Sequence, residues 1–218
     1  EDNEKHFYSL LNAFKDKRYI RIDGKLLFVI YQPLAFKNFK EFKAQWNQLA
    51  IENGLGGFFF VGQTLHKEKI DEIIEYGFDA VNHCHRLDNY YQYNKASNFV
   101  MRCFNFARKF IKVPYIISYK KAIKHSVFEE DYREDVFPTM MPNWDHTPRS
   151  GRGGTVLHNA TPELFEEHAK KVLATTKKFG RKTALAYPFM ESPIIDLINI
   201  RREANVIIST TKRMTNTN

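Results

Sequence analysis

Phe7, Leu10, Leu11 and Phe14 recur at the spacing of one helical face, and the pattern then changes period. Tyr19-Ile20-Arg21-Ile22 and the run from Lys25 to Tyr31 flank Asp23-Gly24. That dipeptide tolerates the positive φ angles of a two-residue turn, so a hairpin is expected there. Leu26 to Tyr31 is a continuous apolar run, as in a strand covered on both faces within a parallel sheet. Helical spacing returns with Phe39, Phe42, Trp46, Leu49 and Ala50, and Gly54 ends that segment. Gly57 to Gly62 reads as a second buried strand, Ile70, Ile73 and Ile74 as a helix, and Phe78 to Asn82 as a third strand.

Further along, residues 89–111 read as helical, with the alternative that Tyr90, Tyr91 and Tyr93 line an ordered loop. Pro114 to Ser118 is a short extended piece before a helix around Lys120 to Ser126, and Val136 to Met141 is the next strand. Thr161-Pro162 opens a helix, with threonine as N-cap and proline at the first helical position. Leu164, Phe165, Val172 and Leu173 form its expected buried stripe, Gly180 stops it, and Thr183 to Tyr187 is the last strand. About five main strands joined by helices give an α/β class with a largely parallel sheet. No repeat, linker or low-complexity tract divides the chain, so one structural unit is expected.

Apolar residues are 43% and charged residues 27% of the 218, enough for a sizeable core and against disorder. The 33 Lys+Arg against 25 Asp+Glu leave a formal charge of +8, which favours anionic partners. The basic residues are spread over helical segments such as Lys170-Lys171 and Lys177-Lys178, and no nucleic-acid module is present, so a nucleic-acid partner is not expected. Cys84 and Cys103 alone make no disulfide framework, which points to a reduced, cytoplasmic setting. No stretch reaches the ~18 apolar residues of a spanning helix, and the acidic start is no signal peptide. The chain opens without methionine, so an internal boundary is expected at its start.

The richest chemistry lies in Pro142-Asn143-Trp144-Asp145-His146-Thr147-Pro148-Arg149-Ser150-Gly151-Arg152-Gly153-Gly154. Its prolines and glycines predict a connection rather than a helix or strand, and binding groups concentrate on connections. Trp144 can stack on a pyranose face, Asp145 can accept hydroxyl hydrogen bonds or handle a proton, and Arg149 or Arg152 can hold phosphate or carboxylate. The plainer alternative is an Asp-capped turn with a half-buried tryptophan.

In a parallel α/β fold the ligand lies beyond the carboxyl ends of the strands. Those ends carry Gln32, Gln63, Asn82-His83-Cys84-His85, Asn143-Trp144-Asp145 and Glu191, a set suited to a carbohydrate pocket. Amides that merely cap strands are the alternative for each taken singly. His83-x-His85 lacks a partner with metal-ligand spacing, so no metal is expected. Gly54-Leu55-Gly56-Gly57 precedes a strand and fits neither the dinucleotide fingerprint nor the P-loop. No cofactor is expected, and no Gly-x-Ser-x-Gly elbow is present.

Arg18-Tyr19-Ile20-Arg21-Ile22-Asp23-Gly24-Lys25, Phe28-Val29-Ile30-Tyr31-Gln32-Pro33, Gly77-Phe78-Asp79-Ala80-Val81 and Pro142 to Arg149, followed by Thr161-Pro162-Glu163-Leu164-Phe165, together resemble the WbsX-like glycosyltransferase family over about residues 7–187. The resemblance implies likeness to glycoside hydrolase family 99, a (β/α)8 barrel, and a place in bacterial O-antigen or capsule polysaccharide clusters. It also implies that residues 1–191 are the carboxyl-terminal part of the family domain, with 192–218 a divergent tail and the missing amino-terminal half of the barrel a possible partner. Family members carry an Asn-x-Trp-Asn-Glu-Trp-type motif after the last strand, where this chain reads Tyr187-Pro188-Phe189-Met190-Glu191-Ser192-Pro193, leaving Glu191 as counterpart.

The expected function is therefore glycosyl transfer or glycosidase-like chemistry on a sugar nucleotide or glycan. Asp145 is the leading catalytic carboxylate and Glu191 the second. Trp144 is the sugar platform, Arg149 and Arg152 the anion-holding groups, and Gln32, Asn143 and His83 the hydrogen-bonding residues. The alternatives are a non-catalytic carbohydrate-binding remnant and, from charge alone, a nucleic-acid binder.

Overall fold

The computed structural model describes residues 2–84 and 114–176, together with 106 and 185–186. The expected helix at 89–111, His85, Cys103, Gly180, Glu191 and the 192–218 tail lie outside the described residues, apart from Phe106, which is helical. The described residues fall into two compact units, one up to Asn82 and one from His83.

In unit 1, helix α1 (Asp2–Lys15) leads to strand β1 (Arg21–Ile22), which turns back antiparallel onto β2 (Lys25–Tyr31) with Ile22 opposite Lys25. Asp23 and Gly24 take φ angles of 50° and 78°, the left-handed pair that the hairpin requires. Helix α2 (Phe39–Glu52) crosses to β3 (Phe58–Thr64), which pairs parallel with β2 from Leu26↔Phe58 to Tyr31↔Gln63. Helix α3 (Ile70–Tyr76) then leads to β4 (Ala80–His83), giving the order β1-β2-β3-β4.

An aromatic cluster holds this unit together. All five residues expected on the inner face of α2 are buried, Trp46 and Ala50 completely. Trp46 lies 5.0 Å from Phe28, 5.2 Å from Phe58 and 5.8 Å from Phe7, mostly edge to face. Pairs of this kind add about 0.5–1.5 kcal/mol each beyond the area they bury. The indole N–H of Trp46 donates to the Asn3 carbonyl at 3.0 Å, so burial leaves it no unmet hydrogen bond.

The Gly77 to Val81 motif is explained by the same packing. Gly77 ends α3 at φ 115°, a conformation that disfavours any side chain. Phe78 stacks flat on Phe39 at 3.9 Å. Asp79 accepts the Phe60 N–H at 2.8 Å and pairs with Lys43 at 2.9 Å, and the Lys43 ammonium also donates to the Gly77 carbonyl. One carboxylate thus ties α2, β3 and the start of β4.

Unit 2 differs from the sequence expectation in several places. Strand β5 (Tyr115–Ser118) is present, but the helix after it is one turn, Tyr119–Ala122, followed by a 3-10 turn, Ile123–His125. The run from Val136 to Met141 is broken at Pro138 into β6 (Val136–Phe137) and β7 (Thr139–Met140), since proline has no N–H for a ladder. Strand β8 (Thr155–His158) was not expected. It pairs parallel with β5, Tyr115↔Thr155 to Ser118↔His158.

Helix α4 (Pro162–Thr176) begins as expected, with the Thr161 hydroxyl accepting the Leu164 N–H at 3.4 Å. Its buried stripe runs through His168, Ala169, Val172 and Thr175, whereas Leu173 is 40% exposed. Strand β9 (Leu185–Ala186) pairs parallel with β7. The whole is mixed α/β with mainly parallel pairing.

Candidate functional site

The segment Pro142–Gly154 is more structured than its glycines and prolines predict. Residues 144–146 run antiparallel to β8: Leu157 N–H donates to the Trp144 carbonyl at 2.8 Å, His146 N–H to the Thr155 carbonyl at 3.0 Å, and Asp145 bridges Val156. A single helical turn, Thr147–Ser150, and a 3-10 turn, Gly151–Gly153, then return the chain to β8. Gly154 permits the return, because a Cβ there would lie 2.8 Å from the His146 carbonyl carbon and the Thr147 nitrogen. Its own carbonyl accepts the Tyr115 N–H at 2.8 Å.

Asp145 is exposed at the start of that turn. One oxygen, Oδ1, accepts both the Thr147 hydroxyl at 2.6 Å and the Thr147 N–H at 2.8 Å. The hydroxyl first and the amide second hold its carboxyl below the usual carboxylate range, so the group is ionised at neutral pH. Such a group suits an electrostatic or nucleophilic role and does not suit a proton donor. Among the described residues nothing bonds Oδ2.

Trp144 is half-buried. Its ring stacks on His146 at 5.6 Å and packs against the cluster of Tyr115, Ile117, Tyr119, Ala122, Ile123 and Leu157. Much of the indole therefore serves packing. Asn143 is exposed, with its Oδ1 accepting the Trp144 N–H at 2.8 Å. Arg149 and Arg152 are exposed on the two successive turns, and neither forms an ion pair among the described residues.

The structure thus gathers Asn143, Trp144, Asp145, Arg149 and Arg152 on one ordered segment. Gln32 belongs to unit 1, where it is exposed at φ 53° before the turn Pro33–Ala35. His83 opens unit 2, buried at 2% exposure, with its ring 6.3 Å from Phe128 and its carbonyl accepting the Thr139 hydroxyl at 3.0 Å. Glu191 lies outside the described residues.

Sequence reasoning missed the residues that hold this segment from beneath. Met141 donates its N–H to Nε2 of His168 at 3.0 Å, and its carbonyl accepts the Tyr119 hydroxyl at 2.7 Å. Nε2 as acceptor places the ring proton on Nδ1, which faces the Ser126 hydroxyl at 3.0 Å; that hydroxyl donates on to the Ile123 carbonyl. Burial, reinforced by the nearby Lys171 charge, lowers the His168 pKa from 6.5 to about 4, so the ring is neutral. Burial also pushes the Tyr119 phenol up, keeping it a proton donor. The one signal in the sequence was the position of His168 on the α4 face shared with Phe165 and Val172.

An α/β chain with an ionised carboxylate, an indole and two guanidiniums on one segment has the chemistry of a protein acting on hydroxylated, anion-bearing ligands. The family model of Glycosyltransferase WbsX matches residues 1–187, and the chain belongs to that family. Its function is accordingly glycosyltransferase-like, with sugar substrates. Comparison with curated proteins and with solved structures gave no significant match. Among the described residues no helix is long and apolar enough to cross a membrane.

Proposed function

We propose that the chain carries out glycosyl transfer, or glycosidase-like cleavage, in the assembly of a bacterial surface polysaccharide such as O-antigen or capsule, in the cytoplasm. Asp145 supports this reading: its charge is fixed by Thr147 through one oxygen while the other is unbonded among the described residues. Transfer and hydrolysis both develop positive charge at the anomeric carbon, and a nearby ionised carboxylate stabilises it. In this proposal Asn143 and the exposed part of Trp144 contact the sugar, and Arg149 and Arg152 hold the phosphates of a sugar nucleotide. The parallel pairing of β2 with β3, with helix α2 crossing between them, supports placing these strands in a (β/α)8 barrel, with the remaining strands as partner.

A second reading, a non-catalytic carbohydrate-binding module, is favoured by the same Thr147 bonds, which also describe an ordinary Asx turn. Asp145→Asn separates the two, since the amide keeps an oxygen to accept both Thr147 bonds and removes only the charge. Release of nucleoside diphosphate from a panel of UDP-, GDP- and dTDP-sugars, assayed with the remaining strands supplied, should fall by about 100-fold or more while circular dichroism is unchanged. Turnover within a few-fold of the parent would assign Asp145 to the turn alone.

A further inference from the structure

We propose that Val156 and Ile116 form an apolar rest beside Asp145 and select a sugar carrying a methyl-terminated substituent, an N-acetyl or 6-deoxy group, over its fully hydroxylated counterpart. This rests on the glycosyl-transfer reading of Asp145 and deepens it. Register establishes the face these residues share. Asp145 bridges Val156 antiparallel, and directly opposed residues on neighbouring strands project to one side. Val156 in turn pairs with Ile116 across the parallel β5–β8 ladder, so the three stand in one row over three strands.

The alternate residues bear this out. Tyr115, Ile117 and Leu157 belong to the unit 2 cluster on the opposite side, and Trp144 packs against that cluster. Ile116, between two buried neighbours, is 60% exposed; Val156 is partly buried and Asp145 is exposed. One exposed isoleucine means little by itself. The informative point is its alignment with a carboxylate that spends Oδ1 on Thr147 and has Oδ2 unbonded among the described residues.

A strand spacing of about 4.8 Å puts Ile116 roughly 10 Å from Asp145 along the row. A hexose whose hydroxyl donates to Oδ2 would lie over Val156 and bring the substituent on its far side to Ile116. The ligand is therefore polar at one end and apolar at the other. The next row on this face towards the carboxyl end is Ser118 and His158, both polar. The apolar strip stops there, which suits a methyl group better than a lipid chain or a protein helix. Because Trp144 faces the other way, the rings at Asp145 and at Trp144 are different sugar units.

The test is a titration of the purified chain, read on the NMR methyl signals of Ile116 and Val156. The probes are two matched pairs: methyl β-N-acetylglucosaminide with methyl β-glucoside, and methyl α-L-fucoside with methyl α-L-galactoside. Saturable shifts of both residues are expected, and in at least one pair the sugar with the extra methyl group should bind about fourfold tighter, the ratio for burying one such group. Ile116→Thr keeps the branched Cβ that suits a strand and removes the apolar end, so it should bring that ratio close to one. Val156→Thr should act in the same direction, and circular dichroism checks the fold of each variant. Trp144→Ala should weaken both members of a pair alike and leave the ratio unchanged. The proposal is overturned if no probe shifts either residue up to its solubility limit, if the hydroxylated sugar binds as well or better in both pairs, or if the two threonine variants keep the parent ratio. Glycosyl transfer is judged separately, by nucleoside diphosphate release from Asp145→Asn, so failure of one reading is distinguishable from failure of the other.

Discussion

Acidification should loosen the anchor beneath the Trp144–Asp145 segment, and His168 sets the size of the effect. The ring accepts the Met141 N–H through Nε2, a bond that a protonated imidazole cannot accept. Its pKa is about 4 in the fold against an ordinary 6.5. Above 6.5 both folded and unfolded forms are neutral there, and the ring's contribution is constant. As pH falls from 6.5 towards 4 the unfolded chain takes up the proton first, so stability is lost across that window and the loss is complete below it. The gap sets a limit of about 3 kcal/mol, and at pH 5, where roughly a tenth of folded rings are protonated, the loss relative to pH 7 is about 2 kcal/mol. Hydrogen exchange at the Met141 amide reads this opening directly. After correction for the intrinsic exchange rate, its protection should fall by about 30-fold from pH 7 to pH 5. Other carboxylates add to acid sensitivity, so the decisive comparison is His168→Gln, whose amide can take part in hydrogen bonds and does not titrate. If that variant loses as much protection as the parent over the same interval, the reasoning about His168 is wrong.

Asp79→Ala removes both the Lys43 partner and the acceptor for the Phe60 N–H, and should cost about 2–4 kcal/mol in urea unfolding. Gly154→Ala puts a Cβ against the His146–Thr147 peptide, and should lower the melting temperature and shift the amide signals of residues 145–147. Trp144→Ala should weaken glycan binding by about 1–3 kcal/mol where the indole stacks on a sugar, and separately destabilise unit 2 through its lost contacts with the Tyr115–Leu157 cluster. Unchanged glycan affinity with a lowered melting temperature would leave Trp144 a packing residue.

Elements whose cause is local were legible in the sequence. Asp23-Gly24 carries its own turn, Thr161-Pro162 its own helix start, and the α2 stripe its own amphipathic face. Strand β8 was not legible, because Thr155 to His158 is four residues long and is made a strand by pairing with β5, some forty positions earlier. Pairing of residues 144–146 with the other edge of β8 orders Pro142–Gly154, which composition alone marks as an irregular connection. On α4, Leu173 outranks His168 in hydrophobicity, yet His168 is the buried one because Met141 and Ser126 satisfy both its nitrogens. Tyr119 escaped notice for a related reason, since its hydroxyl partner is a main-chain oxygen, and main-chain partners leave no mark on composition.

Tyr119 and His168 grip Met141 by its peptide groups, and neither bond involves the methionine side chain. The methionine side chain packs separately against the Tyr115–Leu157 cluster, and proline is barred at 141 by its missing N–H. Positions 143, 145, 149 and 152, which are exposed, are likewise free of that attachment. Mutation can therefore change the exposed charges along this stretch one residue at a time while its base stays fixed. Under the proposed function, that separation of anchorage from chemistry would let ligand preference drift between related chains without refolding the unit.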